Sequence, residues 1–171
     1  KNLSLFGNID YFLSENYKLA FGLRWENWDS KYNDSNQESF NPSDNMNGGK
    51  ISLIKNNDNS NIYFSIARGY KQGGFNLGLD ATDNSIKDSL IYDPEFLTNY
   101  EIGLSSNNNN SILNYSAVFF FSKREDQQVL ISRQVDPTDP NTFSYLTQNA
   151  AEGENYGLEI SSNYFVRDNL N

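Results

Sequence analysis

The sequence predicts an all-β chain, a transmembrane segment of antiparallel β-barrel wall with about seven up-and-down strands. Three observations predict it. Apolar residues recur with period two over stretch after stretch. The polar connections between those stretches alternate between short and long. The composition combines 37% hydrophobic residues and a mean hydropathy of −0.70 with 15% aromatics. Disordered chains lack aromatics, whereas a barrel wall needs large β-formers on its outer face alone.

Residues 3–13 place Leu3, Leu5, Gly7, Ile9, Tyr11 and Leu13 on one parity and Ser4, Phe6, Asn8, Asp10 and Phe12 on the other. Ser14, Glu15 and Asn16 then turn the chain. The second strand sets Tyr17, Leu19, Phe21, Leu23 and Trp25 against Lys18, Ala20, Gly22, Arg24 and Glu26. A polar stretch over 29–47 follows. The third strand, 49–55, carries Ile51 and Leu53 on one face, and residues 56–60 form a tight polar turn. The fourth starts at Asn61 with Ile62, Phe64 and Ile66 on one face, and an irregular segment is expected over 73–97. The fifth sets Tyr100, Ile102 and Leu104 against Glu101, Gly103 and Ser105, ending in a turn at 107–110. The sixth carries Leu113, Tyr115, Ala117, Phe119 and Phe121, and a loop with Asp136-Pro137 and Asp139-Pro140 follows it. The seventh sets Tyr156, Leu158 and Ile160 against Gly157, Glu159 and Ser161, before a further turn from Arg167.

Strands of about 9–11 residues cross a bilayer, and the alternation in strands two and six lasts about that long. Tyr11, Tyr17, Tyr63 and Tyr164 fall near the short-turn ends, and Trp25, Trp28, Tyr70, Tyr100 and Tyr156 near the long-loop ends, as an aromatic girdle requires. Arg24 on the apolar parity would cost about 2–4 kcal/mol near the midplane. It stands on the opposite parity from Leu23 and Trp25, where lumen water hydrates it. No run approaches 18 apolar residues, so any crossing must be made by strands.

Charge and residue types exclude several functions. A net charge of −9 disfavours nucleic acid. The absence of Cys removes disulfides and thiolate metal sites, and the absence of His removes the commonest acid/base group and metal ligand. No catalytic set is expected, so the chain reads as no enzyme and needs no cofactor. The Asp-rich stretches 29–44 and 136–141 lack the EF-hand spacing of a Ca²⁺ site and read as solvated loops, with no metal. An odd number of strands would leave unpaired edges, which lipid does not tolerate. The functional object is therefore expected to be larger than residues 1–171.

Four blocks carry a resemblance. Ile66-Ala67-Arg68-Gly69-Tyr70-Lys71-Gln72-Gly73-Gly74-Phe75-Asn76 resembles the up-strand and loop start of TonB-dependent outer-membrane receptors. Asp93-Pro94-Glu95-Phe96-Leu97-Thr98-Asn99-Tyr100-Glu101-Ile102-Gly103-Leu104 resembles their following down-strand. Residues 119–128, with Asp126-Gln127-Gln128, resemble the next up-strand, and Asn149-Ala150-Ala151 with Tyr156-Gly157-Leu158-Glu159-Ile160 the one after. The blocks keep the family's order and spacing over residues 61–165, and the first sixty residues agree by pattern.

The resemblance implies a piece of the C-terminal half of a 22-stranded barrel in the bacterial outer membrane. That barrel would be plugged by a domain absent from residues 1–171. It implies uptake of ferric siderophores, cobalamin or similar large ligands, energised by the TonB complex through the plug. Two rival readings are a passive porin or small barrel, and a soluble β-sandwich binding module.

The loop residues Tyr70, Lys71, Gln72, Phe75 and Asn76 are the ligand candidates. The simpler reading of Gly73-Gly74 is positive φ where strand becomes loop. Asp93-Pro94 reads as a turn start. Arg24, Arg68, Glu101 and Glu159 are expected to line the lumen, against a plug or water.

Overall fold

A computed structural model describes residues 1–33, 39–77, 89–106, 113–134, 136, 138–150 and 152–164. The expected turns at 107–110 and from 167, and Pro137, lie outside the described residues.

The chain forms one antiparallel meander. β1 (Asn2–Phe12), β2 (Tyr17–Asp29), β5 (Ser43–Asn56), β6 (Ser60–Lys71), β9 (Glu95–Ser106), β10 (Leu113–Glu125) and β13 (Gly153–Tyr164) pair in that order in a seven-stranded sheet. Three small hairpins sit in the long connections: β3 (Tyr32–Asn33) with β4 (Ser39–Phe40), β7 (Gly74–Phe75) with β8 (Ile91–Tyr92), and β11 (Gln128–Gln134) with β12 (Phe143–Asn149). Each sheet strand pairs with its neighbour in the chain's own sheet order, and β1 and β13 form its edges.

The period-two pattern becomes rows across the sheet. Tyr11, Leu19, Leu53, Phe64, Ile102, Phe119 and Leu158 are successive cross-strand partners. The next row, toward the long loops, is Ile9, Phe21, Ile51, Ile66, Tyr100, Phe121 and Tyr156. On the other face the matching row is Asp10, Ala20, Ser52, Ser65, Glu101, Phe120 and Gly157. One face is thus an apolar band and the other mixed and polar. The band is left open to its surroundings: Phe64 is 47% and Phe119 51% exposed. A soluble sheet would cover such a surface with a second layer.

Burial lies elsewhere. Trp28, Met46, Leu90 and Leu146 are the buried apolar residues among those described. They gather at the long-loop end, where Met46 pairs with the buried Glu26 on the polar face. The small hairpins belong to this end.

Several elements run further than alternation foretells. The expected polar stretch 29–47 already contains the start of β5 at Ser43, paired with β2 out to Asp29. The irregular segment 73–97 contains β7, β8 and the first residues of β9, and the loop after β10 contains the β11–β12 hairpin. Apolar alternation marks only the lipid-length part of a strand. Backbone pairing above it needs no apolar residue.

Four aromatic assignments are corrected. Tyr100 and Tyr156 lie in one row of the band with Ile66 and Phe121, not at the long-loop end, and Trp28 is buried on the polar face. Tyr63 lies on the polar face, where its ring covers Gly103 of the next strand. Phe120 covers Gly157 the same way. A flat ring over a strand glycine repairs the packing that the missing side chain leaves.

Candidate functional site

The polar face carries its densest side-chain network at the long-loop end. Even-numbered parity in β2 puts Arg24, Glu26 and Trp28 on this face. The Arg24 guanidinium donates to Glu26 through Nη2 at 2.6 Å and Nε at 3.2 Å. Tyr70 closes the cluster: its hydroxyl donates to Glu26 Oε2 at 2.8 Å and accepts from Arg24 Nε at 2.8 Å. Asn2 Nδ2 donates to Glu26 Oε1 at 3.3 Å and to Gln72 Oε1 at 3.2 Å. Glu26 is buried, so its charge requires these donors.

Local geometry explains how Tyr70 reaches there. β2 and β5 stay paired to Asp29 and Ser43, but β5 and β6 part after Gly49 and Arg68. Beyond that point β6 is free of β5. A Cβ at Gly48 would lie 3.2 Å from the Tyr70 ring, so glycine there gives the ring its place.

A second network ties the long connections together. Arg124 Nη1 meets Glu95 Oε1 at 3.0 Å, and the other oxygen of Glu95 accepts the Gln128 amide at 2.8 Å. Gln128 Nε2 donates to the carbonyls of Gln72 at 2.9 Å and Asp93 at 3.0 Å. Asn149 accepts the Asp93 amide at 2.7 Å and donates to the Asp93 and Asp126 carbonyls at 2.9 and 2.7 Å. Asn76 accepts the Thr147 amide at 2.7 Å and donates to the carbonyls of Ser89 at 2.7 Å and Thr147 at 2.8 Å. Asp126 takes a left-handed backbone, φ 53°, where the chain leaves β10, a conformation that Asp tolerates.

The ligand candidates are thereby separated. Tyr70 and Gln72 join the Glu26 cluster, while Asn76 braces β12 and Phe75 packs against the Tyr32 ring at 5.3 Å. Lys71 is exposed opposite Glu95 and forms no ion pair among the described residues. Four of the five thus have intramolecular partners among the described residues.

The glycines behave differently from expectation. Neither Gly73 nor Gly74 takes a positive φ. A Cβ at Gly73 would lie 2.6 Å from the Tyr92 carbonyl oxygen, and one at Gly74 2.5 Å from the Tyr92 hydroxyl. Close approach, not backbone handedness, requires glycine at both.

Of the four residues expected along the lumen, Arg24, Glu101 and Glu159 share the polar face. Glu101 accepts from Asn99 at 2.7 Å and from Tyr63 at 3.4 Å. Arg68 is a correction. It pairs with Gly49 and Thr98 on the parity of Ile62, Phe64 and Ile66, and its guanidinium lies 4.4 Å over the Phe96 ring. Two residues after Ile66, period two leaves it no other face.

Glu26, Glu95, Gln128 and Asn149 were not singled out. Parity with Arg24 flags Glu26. The other three stand inside the blocks that carry the resemblance, but partners 33 and 56 positions away along the chain cannot be read from spacing.

In the β11–β12 loop, Asp136 Oδ1 accepts from Thr138 N at 2.8 Å and Thr138 Oγ1 at 2.7 Å. Those donors hold its carboxyl below the usual carboxylate range.

Comparison with known proteins bears on this geometry. A family model described as TonB dependent receptor-like, beta-barrel matches residues 1–171. None of the curated proteins matches by sequence. Among solved structures, the ferric yersiniabactin uptake receptor of Yersinia pestis aligns with a TM-score of 0.70 at 17% identity, covering 98% of this chain and 24% of that one. The alcaligin outer membrane receptor of Bordetella pertussis aligns at 0.62 and 19%, covering 98% and 27%. The ferripyoverdine receptor of the outer membrane of Pseudomonas aeruginosa aligns at 0.63 and 17%, covering 97% and 21%. The chain thus spans about a quarter of the length of these structures.

Proposed function

Because this chain belongs to the TonB-dependent receptor-like β-barrel family, we propose that it is a wall segment of a bacterial outer-membrane receptor. That receptor takes up ferric siderophores, cobalamin or a similar large ligand and is energised through TonB. One observation carries the reading. The seven strands present a continuous apolar band on one face and a charged, hydrogen-bonded surface on the other. Bilayer on one side and a hydrated interior on the other require that division.

In this reading the remaining wall pairs with β1 and β13, and a separate plug domain fills the bore and meets TonB. Arg24, Glu101 and Glu159 then face the bore. The Glu26 cluster and the braced loops frame its mouth, where a large ligand arrives. The chain's part is support and recognition, not catalysis, in keeping with a family of receptors and transporters.

Labelled-substrate uptake by cells carrying the full-length receptor tests the proposal. Ferric siderophores of several chemical types, and cobalamin, serve as substrates. Accumulation of one of them that stops on adding a protonophore, and that is absent from a receptor-deletion strain, is the expected result. Uptake unchanged by the protonophore makes the object a passive pore. Recovery of the protein in the detergent-free soluble fraction removes it from the membrane altogether.

A further inference from the structure

Arg68 stands on the apolar face with no carboxylate partner among the described residues. We propose that Arg68 and the groove beside it seat one phosphate-bearing lipid of the bilayer leaflet on the long-loop side. The proposal rests on the membrane reading above.

Register fixes the depth. Gly7, Leu23, Gly49, Arg68, Thr98, Lys123 and Glu154 form one cross-strand row. It lies directly above the row holding Phe21, Ile51, Ile66 and Tyr100. From β6 to β13 the face changes there from apolar to polar, which is where lipid headgroups begin. An arginine at this height keeps its stem against the wall and its guanidinium among headgroups. The Phe96 ring, one step further toward the long loops on the same face, lies 4.4 Å from the guanidinium and holds its plane in place.

A groove beside the arginine supplies room for a chain. It holds about 270 Å³, and its lining includes Phe21, Leu23, Gly49, Ile51, Ile66 and Arg68. A mostly apolar groove with an arginine in its wall matches the build of a lipid: acyl chain against the apolar residues, phosphate at the guanidinium. Guanidinium binds phosphate through two parallel N–H donors.

At this height charge points to the same residue; Lys55, another cation on this face among the described residues, sits at the short-turn end over the Tyr17 ring. On this face Lys123 is neutralised by Glu125 at 3.3 Å and Glu152 at 3.1 Å. The sequence as a whole carries −9, so an anionic lipid is drawn here by one side chain and repelled by its surroundings. A free anion has no use for the apolar groove, and an uncharged lipid none for the guanidinium.

Native mass spectrometry of the detergent-solubilised full-length receptor tests this with three probes. They are dioleoyl phosphatidic acid, dioleoylglycerol and inorganic phosphate. The expected result is retention of phosphatidic acid that falls about tenfold in R68Q and by less in R68K, with the other two probes retained poorly. Arg68 is exposed, so both variants should fold, and unchanged heat-modifiability on gels checks that they do. Equal retention by R68Q and wild type overturns the proposal. Equal retention of dioleoylglycerol reduces the site to a bare groove, and inorganic phosphate binding alone reduces it to an anion site; either refutes the lipid. All three of these outcomes leave the receptor reading standing, because that reading is decided by energised uptake and by the protein's place in the membrane.

Discussion

Replacing Asn76 by Ala removes three hydrogen bonds at once. The side chain takes the Thr147 amide at 2.7 Å and gives its own hydrogens to the carbonyls of Ser89 and Thr147 at 2.7 and 2.8 Å. A typical bond contributes a net ~0.5–1.5 kcal/mol, so three give roughly 1.5–4.5 kcal/mol. Water reaches this half-buried place and recovers part of that, which puts the loss in local stability at about 2 kcal/mol. At about 1.4 kcal/mol per tenfold, the joint between β7–β8 and β12 should open roughly 30 times more often. Amide hydrogen exchange of the full-length receptor, read in a peptide covering Thr147, should quicken by that factor. A peptide from the middle of β9 should not change. Asn76→Asp should be at least as damaging, because a carboxylate then faces two carbonyl oxygens. Unchanged exchange at Thr147 would refute the bracing argument. If N76A instead weakened ligand binding with no change in exchange, Asn76 would be a contact and not a brace.

Phe64→Arg puts a charge in the middle of the apolar band and should cost about 2–4 kcal/mol of stability; Asn8→Arg, on the exposed polar face, should cost little, and urea titration of the refolded barrel compares them. Gly103→Val collides with the ring of Tyr63, its cross-strand neighbour. The single change should destabilise by about 1–3 kcal/mol and Tyr63→Ala added to it should restore part of the loss, so strictly additive effects would count against ring-on-glycine packing. Asp136 has a folded pKa below its unfolded one, so its turn gains stability above the unfolded value and loses it as pH falls through the folded value. The Thr138 amide should therefore lose exchange protection, after correction for intrinsic rates, only under acid conditions below the ordinary carboxylate range, and loss near neutrality would contradict this sign.

The wall was legible because a bilayer imposes a simple rule on every strand that crosses it. Tyr17 to Trp25 alternate without a fault, and their partners fall in register from β1 to β13. The rule stops where the lipid stops. Ser43, Asp44 and Asn45 carry no apolar signal, yet they extend β5 by pairing with Asp29, Trp28 and Asn27. Arg68 leaves the lumen because it shares the parity of Ile62, Phe64 and Ile66, which its charge does not override. The site was less legible than the wall. Side chains such as Asn76, Gln128 and Asn149 bond backbone groups that folding brings from far along the sequence, and neither composition nor period encodes such partners. Glycine gave the same lesson in miniature. Gly73 answers to Tyr92, nineteen positions on, whose approach no local pattern announces.

The bracing of the long connections also divides them into parts an engineer can and cannot touch. The base of the β11–β12 hairpin is stitched to its neighbours by Thr147, Gln148 and Asn149. At its tip, among the described residues, Asp136, Thr138, Asp139 and Thr142 bond one another and Gln134. An epitope tag or fluorophore grafted between Asp139 and Thr142 would ride on the wall without loosening it. The same graft at Gln148 would cut the stitching and let two loops drift apart together.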